Sequence, residues 1–247
     1  MEYACGEENP DTAVGYNSVG LSFRKLKKHR EALENFENAL TINLKTLGDE
    51  HSTTAASYNN VSLSFGELGK YQEALGYNQK ALDIRCKVLG EEHVDTAASY
   101  YNFGSFLGAL GKYQEALKHK QKALEIVCKV FGEENRGTIA SYNDVAATLG
   151  KLGRHQEALE YQQTVLKINR KLFGEKHSNT AASYNNVGFS ILELKRYQEA
   201  LKYFYKASKI QLGIFGPEHP DYIQSVARWF LVGAAVVRLQ GLSGRTS

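Results

Sequence analysis

Shifting the sequence by 42 residues lays Tyr16 on Tyr58, Tyr100, Tyr142 and Tyr184 without a single insertion. The same shift aligns Glu31, Glu73, Glu115, Glu157 and Glu199, each followed by Ala-Leu, and also Gly6, Gly48, Gly90, Gly132, Gly174 and Gly216. A fixed period of this size is the mark of stacked supersecondary units, each of which touches only its neighbours. It overrides the reading that 247 residues with 43% hydrophobic content would otherwise invite, one or two compact domains. The expected frame is the end of a truncated preceding repeat at 1–6, repeats at 7–48, 49–90, 91–132, 133–174 and 175–216, a C-terminal capping helix at 217–239 and a disordered tail at 240–247. Met1–Cys5 aligns with the last turn of a helix, so the chain is expected to start at a repeat boundary, either as a fragment or as a cut array.

Inside the unit, Tyr58, Val61, Phe65 and Leu68 follow the spacing of one helical face, which predicts a first helix. One position on it is small in every copy: Gly20, Ser62, Gly104, Ala146 and Gly188. A second helix can approach closely there. Leu68-Gly69-Lys70 ends the first helix, because glycine just past a helix end tolerates the left-handed conformation. A second helix is predicted from about Tyr71 to Leu89, with Ala74, Leu75, Ala81, Leu82, Val88 and Leu89 on its apolar face and Gly90 as its stop. The link Glu91-Glu92-His93-Val94-Asp95-Thr96 carries acid and hydroxyl groups suited to a helix N-terminus. Pro10 and Pro220 fall at the corresponding first-turn position, where proline loses nothing.

The charge balance of 30 Lys+Arg against 27 Asp+Glu is spread along the chain, so nucleic acid is not implied as a partner. Three cysteines and the lack of a charged-then-apolar leader after Met1 point to a reducing, cytoplasmic compartment. The longest apolar run, Trp229 to Val237, is about half of what a membrane-spanning helix needs. No membrane partner is expected.

The residues Tyr58-x2-Val61-Ser62-x2-Phe65 followed by Ala74 and Ala81 resemble the tetratricopeptide signature, in a period eight residues longer than the basic 34. The linker L-G-x-x-H-x-x-T and the Asn-Asn after the aromatic look like the repeats of kinesin light chains and related proteins. The resemblance covers roughly residues 6–225. It implies an all-α, right-handed superhelical solenoid of antiparallel helix pairs, and a non-catalytic scaffold that binds other proteins through extended peptide segments.

With Val61 at the centre of the buried face and about 100° per residue, Asn59 and Asn60 point outward. First helices usually line the concave wall of such an array. The expected peptide-binding groove carries Asn17, Asn59, Tyr101, Asn143 and Asn185 in one row, and Ser18, Asn60, Asn102, Asp144 and Asn186 in the next. A third row holds Leu21, Leu63, Ser105, Ala147 and Phe189. A carboxamide offers donors and an acceptor, so these rows can hold a peptide backbone, with Leu63 and Phe189 for apolar contact. The competing reading is that the asparagines are merely solvated or cap structure between repeats. Kinesin light chains hold acidic, aromatic-containing peptides with basic groove residues, for which Arg24, Lys25 and Lys151 are the candidates; Gly66-Glu67, Gly108-Ala109 and Leu192-Glu193 depart from that pattern. The lysines of a carboxylate clamp are not present, and no heptad segment for pairing with a motor chain appears.

In the sixth copy Val226-Ala227-Arg228-Trp229-Phe230 replaces the polar face, so the capping helix is expected to leave apolar surface exposed. Trp229, Phe230 and Val237 are its candidates for self-association, which makes a homo-oligomer or a purely structural array the rival reading. No catalytic residue, metal or cofactor is expected. His51, His93, His177 and His219 recur one repeat apart, on the order of 10 Å, too far to share a zinc ion bound at about 2 Å; they read as loop and cap residues. Cys86 and Cys128 are likewise one repeat apart and read as small core residues. Gly69-Lys70 and Gly111-Lys112 lack the spacing and the hydroxyl residue of a phosphate loop.

Overall fold

The computed structural model describes residues 9–243. Among them are eleven α-helices and no strand: α1 (Pro10–Lys25), α2 (His29–Leu47), α3 (Ser52–Glu67), α4 (Tyr71–Leu89), α5 (Val94–Ala109), α6 (Tyr113–Phe131), α7 (Arg136–Lys151), α8 (His155–Phe173), α9 (Ser178–Glu193), α10 (Tyr197–Phe215) and α11 (Pro220–Ser243). First helices of 16 residues alternate with second helices of 19. Short turns such as Leu26-Lys27-Lys28 fold each pair back into an antiparallel hairpin. The hairpins form two compact units, one ending at Val130 and one beginning at Phe131.

In the first unit Phe36, Tyr58, Val61, Phe65 and Phe106 make the core; in the second it is Leu159, Leu166, Tyr184, Val187, Ile191, Phe204 and Val232. Helix approach is set by matched sizes. A Cβ on Gly20 would lie 2.8 Å from Phe36, and one on Gly188 would lie 2.8 Å from Phe204. Where the small residue gains atoms, as in Ser62 and Ala146, the facing position 16 residues later holds Asn78 and Gln162 in place of phenylalanine.

The linkers explain the recurrent L-G-x-x-H-x-x-T. Gly48 and Gly174 sit at φ +83 and +85 with ψ 174, a region essentially reserved for glycine. The threonine six residues on donates its hydroxyl to that glycine's carbonyl: Thr54 to Gly48, Thr96 to Gly90 and Thr138 to Gly132, each at 2.8 Å, and Thr180 to Gly174 at 2.7 Å. The histidines are N-caps. Nδ1 of His51, His93 and His177 accepts the backbone N–H two residues later at 3.1 Å, and that of His219 at 3.2 Å. Asn9 and Asn135 cap α1 and α7 with their side-chain oxygens.

Three expectations need correction. Val88 does not join the buried face of α4 but is 45% exposed, because the last turn of the helix runs beyond the neighbour that covers Ala81 and Leu82. Cys86 and Cys128 form no disulfide among the described residues and are only partly buried, so neither is a core residue in full. The final helix runs to Ser243, past the expected boundary at 239; the rest of the expected tail, like Met1–Cys5 and Gly6, lies outside the described residues.

The turn inside each hairpin has its own requirement. Gly69, Gly111 and Gly153 have φ of +76, +77 and +71, and the equivalent residues Lys27 and Lys195 adopt φ +59. A non-glycine residue there costs about 1–2 kcal/mol. Lys195→Gly is therefore expected to raise stability by about 1 kcal/mol, and Gly174→Ala to lower it by ~1–3 kcal/mol, both measured from denaturant midpoints.

Candidate functional site: a carboxamide-lined groove

In the first unit the asparagine rows are joined to each other. Asn60 Nδ2 donates to Asn17 Oδ1 at 2.7 Å, and Asn102 Nδ2 donates to Asn59 Oδ1 at 3.0 Å. These bonds span 43 residues, so one row of each first helix meets the other row of the next. Leu63 packs against the core, and Tyr101 is exposed. Arg24 approaches Glu67 of α3 at 3.8 Å, while Lys25 is exposed.

In the second unit the chain builds a groove along α7, α8 and α9. A hollow of about 750 Å³ brings together Asn143, Asp144, Lys151, Asn186 and Phe189, with Gln162, His155 and Glu193 beside them. A second hollow of about 490 Å³ shares Asn143 and Asn186 and extends towards the starts of α7 and α9, past Asn169, Phe173 and Arg136. Both fall in the size range of ligand pockets. The guanidinium of Arg136 stacks on Phe173 at 4.8 Å, and that of Arg228 stacks on Phe189 at 4.3 Å. Burial pushes the Arg228 guanidinium below its ordinary value.

Three carboxamide oxygens of this groove, on Asn143, Gln162 and Asn169, are buried and have no hydrogen-bond partner among the described residues. Asn169 is fixed in orientation, because its Nδ2 donates to Ser183 Oγ at 2.6 Å and to the Asn179 carbonyl at 3.4 Å. A buried polar atom left unpaired costs about 1–3 kcal/mol. Gln162 and Asn169 lie on the second helix of the repeat, and reading only outward faces of first helices missed both. The signal was present, since Gln162 occupies the position of Phe36 and Phe204.

Asn185 does not face outward as expected. It is 7% exposed and donates to Ser225 of α11 at 2.8 Å, leaving its own oxygen unpaired. The serine row Ser57, Ser99, Ser183 takes part in a related buried tie. Asn43 donates to Ser57 and Arg85 to Ser99, each at 2.8 Å and each 14 residues apart. On α11, Trp229 is half-buried against the core and lies 6.2 Å from Tyr205, whereas Phe230 and Val237 are 63% and 68% exposed. Ile223 and Leu231 are also exposed.

A tetratricopeptide repeat model matches residues 11–87, 67–129, 95–171, 138–190 and 179–225. The chain belongs to the tetratricopeptide repeat family. Repeats of this family serve generally as protein–protein interaction scaffolds rather than catalysts. No curated protein sequence matches the chain. Among solved structures, nearly identical tetratricopeptide-like repeats described as a kinesin light chain of Podosopora anserina share 24% identity over 88% of this chain and 100% of that one, with a TM-score of 0.78. BtubC (BKLC) from P. vanneervenii gives 19% identity, 83% and 81% coverage and a TM-score of 0.72. YrrB, a tetratricopeptide repeat protein with an unusual peptide-binding site, gives 22%, 90% and 95%, and 0.58. At these identities the likeness is one of fold. No helix of the described residues is long and apolar enough to cross a membrane, and they hold no cluster of metal-ligating side chains.

In two linkers the recurrent tyrosine closes the turn from the other side. Tyr184 donates its hydroxyl to Glu175 Oε1 at 2.5 Å, and Tyr58 donates to Asp49 at 3.4 Å. Burial, reinforced by Glu175, pushes the Tyr184 phenol up to about 12, and burial with Cys86 beside it does the same to Tyr100. The folded chain thus favours the neutral phenols. Their contribution to stability is intact below the ordinary tyrosine value of 10.0 and is lost as pH rises towards about 12. The denaturant midpoint is expected to fall across that window, with a shallower fall in Tyr184→Phe.

Proposed function

We propose that the chain is a cytoplasmic, non-catalytic scaffold that binds extended peptide segments along the α7–α9 groove, in the manner of a kinesin-light-chain-like cargo adaptor. The observation that carries this reading is the row of unpaired carboxamide oxygens on Asn143, Gln162 and Asn169 beneath one continuous groove. The terminal torsion of a carboxamide is soft, and a peptide backbone supplies N–H donors at regular intervals, so an extended segment satisfies groups the chain leaves unpaired. Phe189 and Phe173 offer apolar contact, and Lys151 and Arg136 offer positive charge to an acidic residue. The peptide-binding site of the fold neighbour YrrB agrees with this class of ligand. In the first unit Asn17, Asn59, Asn60 and Asn102, with Leu63, Tyr101, Arg24 and Lys25, would form the corresponding wall, their amides sharing one bond per pair.

A second reading is self-association through α11. It is favoured by the exposed Phe230, Leu231 and Val237 on that helix. A single monomeric species in light scattering at all concentrations would remove it.

Gln162→Leu separates a binding role from a packing role. The variant removes an unpaired oxygen at a site 8% exposed, so it is expected to gain about 1 kcal/mol in stability while losing about tenfold in affinity for peptides selected on the wild type. Equal affinity in fluorescence anisotropy would reject the groove.

A further inference from the structure

Three linkers carry the same surface ion pair, a lysine near the end of a second helix reaching a glutamate 37 residues earlier. Lys87 pairs with Glu50, Lys129 with Glu92 at 2.7 Å, and Lys171 with Glu134 at 2.7 Å. At the next step both members are missing: Lys176 stands in the glutamate's place and Gly213 in the lysine's. The reversed charge and the lost side chain leave a pocket of about 490 Å³ in the second unit, lined by Glu175, Lys176, Lys206, Lys209, Ile210, Gly213 and Ile214. The equivalent hollow of the first unit, about 380 Å³, is lined by three carboxylates (Asp49, Glu50, Asp83) against two lysines (Lys80, Lys87), and it holds its own ion pair. Here the balance is one carboxylate against three lysines. That carboxylate, Glu175, is already engaged by the Tyr184 hydroxyl and by Arg170 at 2.7 Å. None of Lys176, Lys206 and Lys209 takes part in an ion pair among the described residues, although Lys206 stacks on Tyr184 at 5.3 Å.

We propose that this pocket binds an acidic peptide segment of a partner protein, whose carboxylate takes the place of the missing glutamate and whose adjacent aliphatic side chain covers Gly213 between Ile210 and Ile214. The chain itself shows the chemistry that suits the site, since in three other repeats a carboxylate and an alkyl stem fill the same space. A carboxylate facing these lysines forms charge-assisted hydrogen bonds, and the apolar floor selects against a purely charged ligand. The site is separate from the α7–α9 groove and does not depend on that assignment.

The test is fluorescence anisotropy of the full chain with a labelled peptide of alternating Glu and Leu, and with the same peptide carrying Gln for Glu. The deciding variant is Lys176→Glu/Gly213→Lys, which rebuilds the ion pair found in the other linkers and is expected to fold as they do, checked by circular dichroism. The wild type is expected to bind the acidic peptide at least tenfold more tightly than the Gln peptide. The rebuilt variant should lose that binding by about tenfold or more, Lys209→Gln should lose part of it, and Gln162→Leu should leave it unchanged. No saturable binding by the wild type, equal binding of the Gln peptide, full binding by the rebuilt variant, or binding to phosphatidylserine vesicles but not to the peptide would each overturn the proposal.

Discussion

The hydrogen bond from a buried threonine hydroxyl to the carbonyl of a helix-ending glycine is the contact on which the repeat geometry rests. Glycine alone tolerates a backbone near φ +83 and ψ 174, and the threonine bond fixes the direction in which the next helix leaves. The histidine or asparagine cap then satisfies a backbone donor at the start of that helix. The linker is thus a rigid joint. The threonine bond recurs in four linkers, and size matching such as Gly20 with Phe36 sets the helix spacing inside a hairpin.

Much of this was legible in the sequence, because every rule of the joint is repeated. A glycine, a capping histidine and a small residue that recur at a fixed interval can be read as geometry without any neighbour being known. The histidines read as caps rather than metal ligands for the same reason. What was not legible is what depends on the space between repeats. The asparagine rows were assigned from the angle of a single helix, which places Asn59 and Asn60 on its outer side. It gives no hint that Asn102 reaches back to Asn59, or that Asn185 turns inward to Ser225. Val88 was misplaced by the same one-helix reasoning, since its angle is apolar but its neighbour ends too soon. Gln162 and Asn169 escaped notice because they interrupt a core face, where a polar residue reads as an exception.

The features on which the proposed binding rests lie where the repetition fails. Five copies of a neutral unit give a scaffold, and differences between copies give it addresses. Gln162 in place of phenylalanine leaves an unpaired oxygen under one groove, and the exchange of a Glu and a Lys for Lys176 and Gly213 opens a basic pocket in the second unit. Neither change disturbs the joints. A solenoid can therefore vary its binding surface repeat by repeat, because each unit depends on its neighbours only through the linker and the helix faces.

The linker contacts also fix which helices belong together mechanically. The threonine bond and the buried ties across 14 residues join the second helix of one repeat to the first helix of the next, whereas the tyrosine-to-acid bond and the surface ion pairs across 37 residues lie within a single repeat. The turn inside a repeat is a short backbone reversal that includes, at Lys27 and Lys195, a residue in an unfavourable conformation. Three of the hairpins are thus closed at both ends, by that turn at one and by a lysine–glutamate pair at the other. Bonds that tie a repeat to itself alternate with bonds that tie it to the next, so a surface residue can change in one copy without loosening the joint beside it.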